Sequence, residues 1–233
     1  MIYVTGDTHG DPRRLSAAAL SRLRENDTLI ICGDFGFIWD GSPKEEKLLK
    51  ELGSRKYNIC FIDGTHENFE LLHGYTEETW KYGRARKISG NLHYLMRGEI
   101  YHMEGKKVFV MGGGESPDME MRAGSEKWTR DEMPSREELY HGLANLEKNH
   151  FDVDLIFTHE PTLKTKQFLS LSDESELRFT ALNSYFDEIS KLCNYKKWYF
   201  GSMHKDKQVS ALETAVFTDI LDAVTGEKLY KNR

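Results

Sequence analysis

Residues 6–11 read Gly-Asp-Thr-His-Gly-Asp and follow directly on the apolar run Ile2-Tyr3-Val4. An apolar run stopped by glycine reads as a buried strand and its closing turn. The turn carries a carboxylate at Asp7 and an imidazole at His9, with glycines on both sides that permit a sharp change of direction. The same grammar recurs along the chain. Thr28 to Cys32 ends in Gly33-Asp34, and Asn58 to Ile62 leads to Gly64-Thr65-His66-Glu67. Asp154 to Thr158 ends in His159-Glu160-Pro161, and the run 197–200 ends in Gly201-Ser202-Met203-His204. In open sheets ligands bind beyond the carboxyl ends of strands. Two aspartates (Asp7, Asp34) and four histidines (His9, His66, His159, His204) can therefore converge on one place.

Between these runs, helical signals recur. Asp11-Pro12 followed by Leu15, Ala19 and Leu23 predicts a helix. Ser42-Pro43-Lys44-Glu45 and Ser135-Arg136-Glu137-Glu138 read as capping boxes that open two more. Leu177, Ala181, Tyr185, Ile189 and Leu192 predict a long helix. Strands are expected at 92–95, 99–103 and 107–111, the last two joined as a hairpin at Glu104-Gly105, and at 208–212, 215–220 and 228–230. No linker or repeat divides the chain, so 1–233 reads as a single α/β domain: a pair of mixed sheets with helices on their outer faces.

The bulk numbers exclude several classes. The 233 residues are 39% hydrophobic and 30% charged, enough to bury a core. A net charge of −6 argues against a broad nucleic-acid surface. The apolar runs are too short to cross a membrane, and strand-like residues from position 2 occupy the place of a secretion signal. Three cysteines without a Cys-x-x-Cys fit packed thiols in a reducing cytoplasm.

Carboxylates with neutral imidazoles suit Mn²⁺, Fe or Zn²⁺ better than Ca²⁺. Asp7 and His9 read as two ligands of one metal. A lone Gly-Asp is usually a turn and a lone histidine usually structural, which is the reading for His73, His93, His102, His141 and His150. The joint occurrence at successive strand ends raises the other six. Gly112 to Ser116 lacks the lysine of a nucleotide loop and reads as a tight loop beside the site. Arg97 and Arg122 are candidates for contacting substrate phosphate, against the commoner reading of solvated loop arginines.

The ordered set Gly-Asp-x-His-Gly, Gly-Asp, Gly-x-His-Glu, a histidine after a strand, and Gly-x-x-His resembles the signature of calcineurin-like metallophosphoesterases, across residues 6 to 204. Gly-Asp-Phe-Gly at 33–36 is similar to the small bacterial members. The resemblance implies a four-layer α/β/β/α sandwich with a binuclear metal centre, and a hydrolase that cleaves a phosphate mono- or diester with metal-activated water. By position it implies Asp7, His9, Asp34 and His204 on a first metal, with Asp34 bridging. His66 would be the general acid or transition-state stabiliser near the leaving group. A second metal would take Asp34, His159 and the positions of Thr65 and Ser202.

Those last two depart from the family, which has asparagine and histidine there. Hydroxyls are weaker ligands for such metals, so the expectation is one tight site and one weak site. Mn²⁺ is the first choice of metal, with Fe, Zn²⁺ or Mg²⁺ as alternatives. Phe37 stands where related members carry an aspartate that orients the catalytic histidine, and Asp40 and Glu67 are candidates to replace it. The alternative to an enzyme acting on a phosphorylated small molecule or nucleotide is a weakened relative. It would bind a metal and a phosphorylated ligand or protein partner without efficient turnover.

Overall fold

The computed structural model describes residues 1–116, 130–170 and 178–230. They form two mixed sheets. The first has seven strands in the order β13-β1-β2-β3-β6-β5-β4. These are β1 (Ile2–Thr5), β2 (Thr28–Cys32), β3 (Asn58–Ile62), β4 (Glu77–Trp80), β5 (Gly83–Ser89), β6 (Leu92–Leu95) and β13 (Leu221–Asp222). The second has six, in the order β11-β12-β10-β9-β8-β7. They are β7 (Ile100–Met103), β8 (Lys106–Met111), β9 (Leu155–Thr158), β10 (Lys197–Phe200), β11 (Lys207–Gln208) and β12 (Glu213–Ala215). In each sheet the central strands run parallel and the edges antiparallel. The carboxyl ends of the central strands of a sheet therefore lie along one edge.

Strands buried on both faces need apolar side chains at every position, sorted by the two-residue period. Ile30, Cys32, Cys60 and Ile62 of the first sheet pack against Val108, Val110, Phe157 and Tyr199 of the second. Their neighbours Leu29, Ile31, Ile59 and Phe61 point outward, onto Leu49 and Leu52 of α1 (Pro43–Gly53). On the other side Phe109, Ile156, Trp198 and Phe200 meet three helices. These are α3 (Arg136–Lys148), α4 (Leu163–Ser170) and α5 (Ala181–Leu192), which contribute Leu146, Leu169, Leu182 and Phe186. The result is helix, sheet, sheet, helix, the expected four-layer α/β/β/α sandwich. A short helix, α2 (Phe69–His73), follows β3.

Four local expectations differ. Residues 11–24 form consecutive turns rather than a helix, closed by bonds such as Arg14 N to Asp11 O and Leu23 N to Leu20 O. Asp11 takes Arg13, and Arg14 reaches back to strand-end carbonyls, so side-chain bonds compete with helix formation. Leu15, Leu20 and Leu23 are buried all the same. Secondly, β4 and β5 form an unpredicted hairpin. Its strands are rich in Glu, Arg and Lys because they lie at a solvated edge, and its Lys81-Tyr82 turn lacks the usual Asn-Gly despite φ of 48° and 75°. Thirdly, only half of the Ser42 box is made: its hydroxyl caps Glu45 N, while the Glu45 carboxylate binds the Trp39, Asp40 and Gly41 amides. Lastly, the final strands lie at 207–208, 213–215 and 221–222 rather than at 208–212, 215–220 and 228–230, where an isolated Lys228–Leu221 bridge forms; α5 begins at Ala181, and Leu177 lies outside the described residues.

Candidate metal centre

The loops that leave β1, β2 and β10 carry an unusual backbone. Asp7 (φ 41°), His9 (47°), Asp34 (47°), Ser202 (53°) and His204 (47°) all occupy the left-handed region, although none is glycine. Such conformations cost energy in an L-residue and gather at functional sites. Backbone bonds hold them: His9 N donates to Asp34 O (2.8 Å) and Gly10 N to Phe35 O (3.0 Å). Ser202 N donates to Asp7 Oδ1 (3.1 Å), so the last loop is tied to the first. Two glycines are required by close approach. A Cβ on Gly33 would strike the His159 ring, and one on Gly64 would strike the Asp34 carboxylate.

Asp7, His9, Asp34 and His204 each offer one ligand atom, and these atoms lie within 4.8 Å of one another. Nε2 of His9 is 3.0 Å from Nε2 of His204 and 3.7 Å from Oδ2 of Asp34. Both carboxylates are almost wholly buried. Oδ2 of Asp7 takes no hydrogen bond among the described residues. A buried carboxylate oxygen without a donor is costly, and two imidazole nitrogens 3.0 Å apart can share one proton or one other electrophile. The donor set and the orphaned oxygen fit a divalent cation.

Electrostatics follow from burial. Desolvation lowers the His9 and His204 pKa values against the opposing pull of Asp34, which favours the neutral, ligating form. Burial raises Asp7 to about 7. Burial would raise Asp34 too, but His159 and a hydrogen bond from His66 hold it well below the usual carboxylate range. His159 is the mirror case: burial alone would lower it, and Asp34 followed by Asp7 lifts it to about 9.

The remaining predicted residues border this cluster. Nε2 of His159 is 3.7 Å from Asp34 Oδ1, while its Nδ1 lies 3.1 Å from the Cys32 carbonyl and 3.6 Å from Asp7 Oδ1. His66 Nδ1 lies 2.9 Å from Asp34 Oδ2 and 3.1 Å from the Thr65 hydroxyl. The amides of Thr65 and His66 both donate to Asp34 Oδ1. Oγ of Ser202 is buried and without a hydrogen-bond partner among the described residues. Phe37 is packed in the core. Neither suggested replacement takes up the orienting role. Asp40 caps Ser42 N, and the buried Glu67 accepts Phe35 N (2.7 Å) and Gly36 N (3.3 Å), which fixes the loop after Asp34.

Arg97, a candidate for contacting substrate phosphate, is engaged within the fold rather than in a solvated loop. Its guanidinium is buried and donates to Asp63 (2.6 Å), Glu138 (3.1 Å) and the carbonyls of Asp131 and Glu132. Arg122 lies outside the described residues. Gly112 to Ser116 is a tight loop beside the site: Gly113 N binds Asp63 O, and a Cβ at Gly114 would touch Thr65 and His159. His93 pairs with Glu78 and His141 with Glu99, as structural histidines do. Sequence reasoning missed Arg14, Asp206 and Phe217, which surround the backbone of Asp7 and the ring of His204. Arg14 and Phe217 are 203 positions apart, so no local spacing could have signalled the pair.

Comparison with known proteins gives three results. Residues 1–202 match the family described as calcineurin-like phosphoesterase. Comparison with curated proteins finds no significant match. Among solved structures, the phosphopantetheinyl hydrolase of Mycobacterium tuberculosis is similar at 13% identity and a TM-score of 0.44, over 93% of this chain and 89% of that one. A protein of unknown function from Aquifex aeolicus is similar at 15% identity and a TM-score of 0.33, over 69% and 78%.

Proposed function

The chain belongs to the calcineurin-like phosphoesterase family, and from that premise we propose that it hydrolyses a phosphate mono- or diester of a small molecule or nucleotide with a divalent metal, Mn²⁺ foremost. The observation that carries this reading is the Asp7, His9, Asp34 and His204 cluster with its orphaned Asp7 Oδ2. These four residues would hold the first ion. Asp34 and His159 would share a second, more weakly held one, because the Thr65 hydroxyl is engaged with His66 and Ser202 offers a hydroxyl where an imidazole would bind better. Bound ions supply a lower pKa for water and positive charge for phosphoryl oxygens.

The chain's own residues do the rest. Asp34, kept ionised, accepts the Thr65 and His66 amides and so positions the His66 loop. His66 is a third exposed, on the open side of the cluster. There it can protonate or hydrogen-bond the leaving oxygen. His9 and His204, also facing solvent, frame the entrance for phosphate. The reduced, buried thiols Cys32, Cys60 and Cys193 suit a cytoplasmic protein.

The test pairs metal analysis of dialysed protein with hydrolysis of aryl phosphate mono- and diesters in added Mn²⁺. Metal-stimulated turnover that disappears in His66→Ala and Asp34→Asn supports the enzyme. Failure to bind metal together with absent hydrolysis overturns it. The same two hydroxyl positions, Thr65 and Ser202, favour the second reading of a metal-holding binder without efficient turnover. Bound metal with no hydrolysis of either ester class would select it.

A further inference from the structure

We propose that Phe217 is a positioning residue for His204, holding that imidazole with its Nε2 towards His9, among the residues that would hold the first ion; the proposal rests on the metal site described above. Phe217 lies beyond the residues that match the family. It follows β12 in a loop that the sequence pattern reads only as strand.

The Phe217 ring stacks on the His204 ring, with centroids 4.9 Å apart and planes 21° apart. The Nε2 edge of His204 meets the His9 ring, with centroids 5.0 Å apart and planes at 87°. A half-exposed imidazole on a strained loop would otherwise sample several rotamers, at an entropic cost on binding. Stacking removes that freedom and points Nε2 of His204 at Nε2 of His9.

The stack works only if Phe217 is itself fixed, and it is fixed from two sides. Asp206 gathers the loop: its carboxylate accepts Phe217 N (2.8 Å), Asp219 N (3.1 Å), and the Thr218 amide (2.9 Å) and hydroxyl (2.6 Å). Asp206 also lies two residues after His204, so one carboxylate ties both partners of the stack. The Phe217 carbonyl accepts from Gly6 N (3.3 Å), the Thr5 hydroxyl (2.9 Å) and the Arg14 guanidinium. Arg14 also donates to Gly6 O (2.9 Å) and Asp7 O (3.3 Å) and lies over the Phe217 ring at 5.4 Å. Phe217 is thus wedged between the loop that presents Asp7 and the loop that presents His204. Arg14 and Asp206 are its two fasteners.

The test measures Mn²⁺ affinity by titration calorimetry and, in the metal-free chain, the His204 ring proton shifts. An aromatic stack contributes enough that Phe217→Leu should weaken Mn²⁺ roughly two- to tenfold. It should also move the His204 ring signals by loss of the ring current. Phe217→Tyr keeps the stack and should bind within about twofold of wild type. Asp206→Ala, on the surface, keeps the aromatic side chain but frees its loop, so the stack loosens; it should weaken Mn²⁺ and shift His204 in the same direction, also if Phe217→Leu fails to fold. Tight wild-type binding with unchanged affinity and unchanged His204 signals in Phe217→Leu or Asp206→Ala overturns this proposal alone. A wild-type chain that binds no Mn²⁺ overturns the metal site and this proposal with it.

Discussion

The Nε2 atoms of His9 and His204 lie 3.0 Å apart, although the two residues are 195 positions apart and follow strands of different sheets. At that distance at most one nitrogen carries a proton in the pair, and the neutral forms that burial favours are the ligating ones. The seam between the two sheets, where β1 and β10 end, is therefore where the chain gathers its cluster of carboxylates and imidazoles.

Removing the shared carboxylate should be decisive. Asp34→Asn exchanges a buried negative charge for a neutral amide among His9, His66 and His159. Hydrolysis should fall by more than about a hundredfold, with far-ultraviolet circular dichroism unchanged. Retained turnover would contradict the role assigned to Asp34.

Restoring better ligands should strengthen the weak site. Thr65→Asn with Ser202→His should raise metal content from about one towards about two ions per chain and increase turnover. Elemental analysis after dialysis reads the first effect and steady-state assay the second. If both stay at the wild-type level, the second-site positions are misassigned.

Metal binding should release protons at neutral pH. In the metal-free chain burial opposes charge on His159, but Asp34 and Asp7 lift its pKa to about 9, and burial raises that of Asp7 to about 7. Near pH 7.5 a proton on His159 and part of one on Asp7 must leave before these groups can face a cation, so apparent affinity rises as pH goes from about 6 to 9. Calorimetry in buffers of different ionisation enthalpy counts the protons. Affinity that is flat over this window would show that neither group titrates on loading.

Glu67 should be replaceable by its amide but not by a truncation. Burial, and then the nearby Asp34, push its carboxyl pKa well up. The sign is that of a raised carboxyl: its contribution is fullest below the unfolded-state pKa and declines as pH rises towards the folded value. Glu67→Gln keeps an oxygen for Phe35 N and should unfold close to wild type at pH 7. Glu67→Ala leaves that buried amide unpaired and should cost about 1–3 kcal/mol in urea unfolding.

Arg97 should prove a residue of stability rather than of substrate binding. Arg97→Met strands the fully buried Asp63 carboxylate. The expected loss is about 3–5 kcal/mol of folding free energy, with KM of the remaining folded protein close to wild type. A raised KM without destabilisation would restore the phosphate-contact reading.

Some of this protein was written in near-neighbour patterns. The apolar runs that became β1, β2, β3, β9 and β10, the glycines that close all of them but β9, and the aspartates and histidines that follow are all local features. The two-residue period sorts each run onto two faces, so a doubly covered sheet pair was legible without any contact map. Other features were decided only when the two sheets packed. Residues 11–24 had helical spacing, yet Arg14 found the carbonyls of Gly6 and Phe217, and bonds across the fold outcompeted the helix. Arg97 looked like a loop arginine until the burial of Asp63 claimed it. Phe217 read as an ordinary strand residue until it stacked on His204. Turn, cap and period depend on residues a few positions apart. The partners of a strand-end loop are chosen by which strands lie side by side, a choice made by the whole apolar core at once.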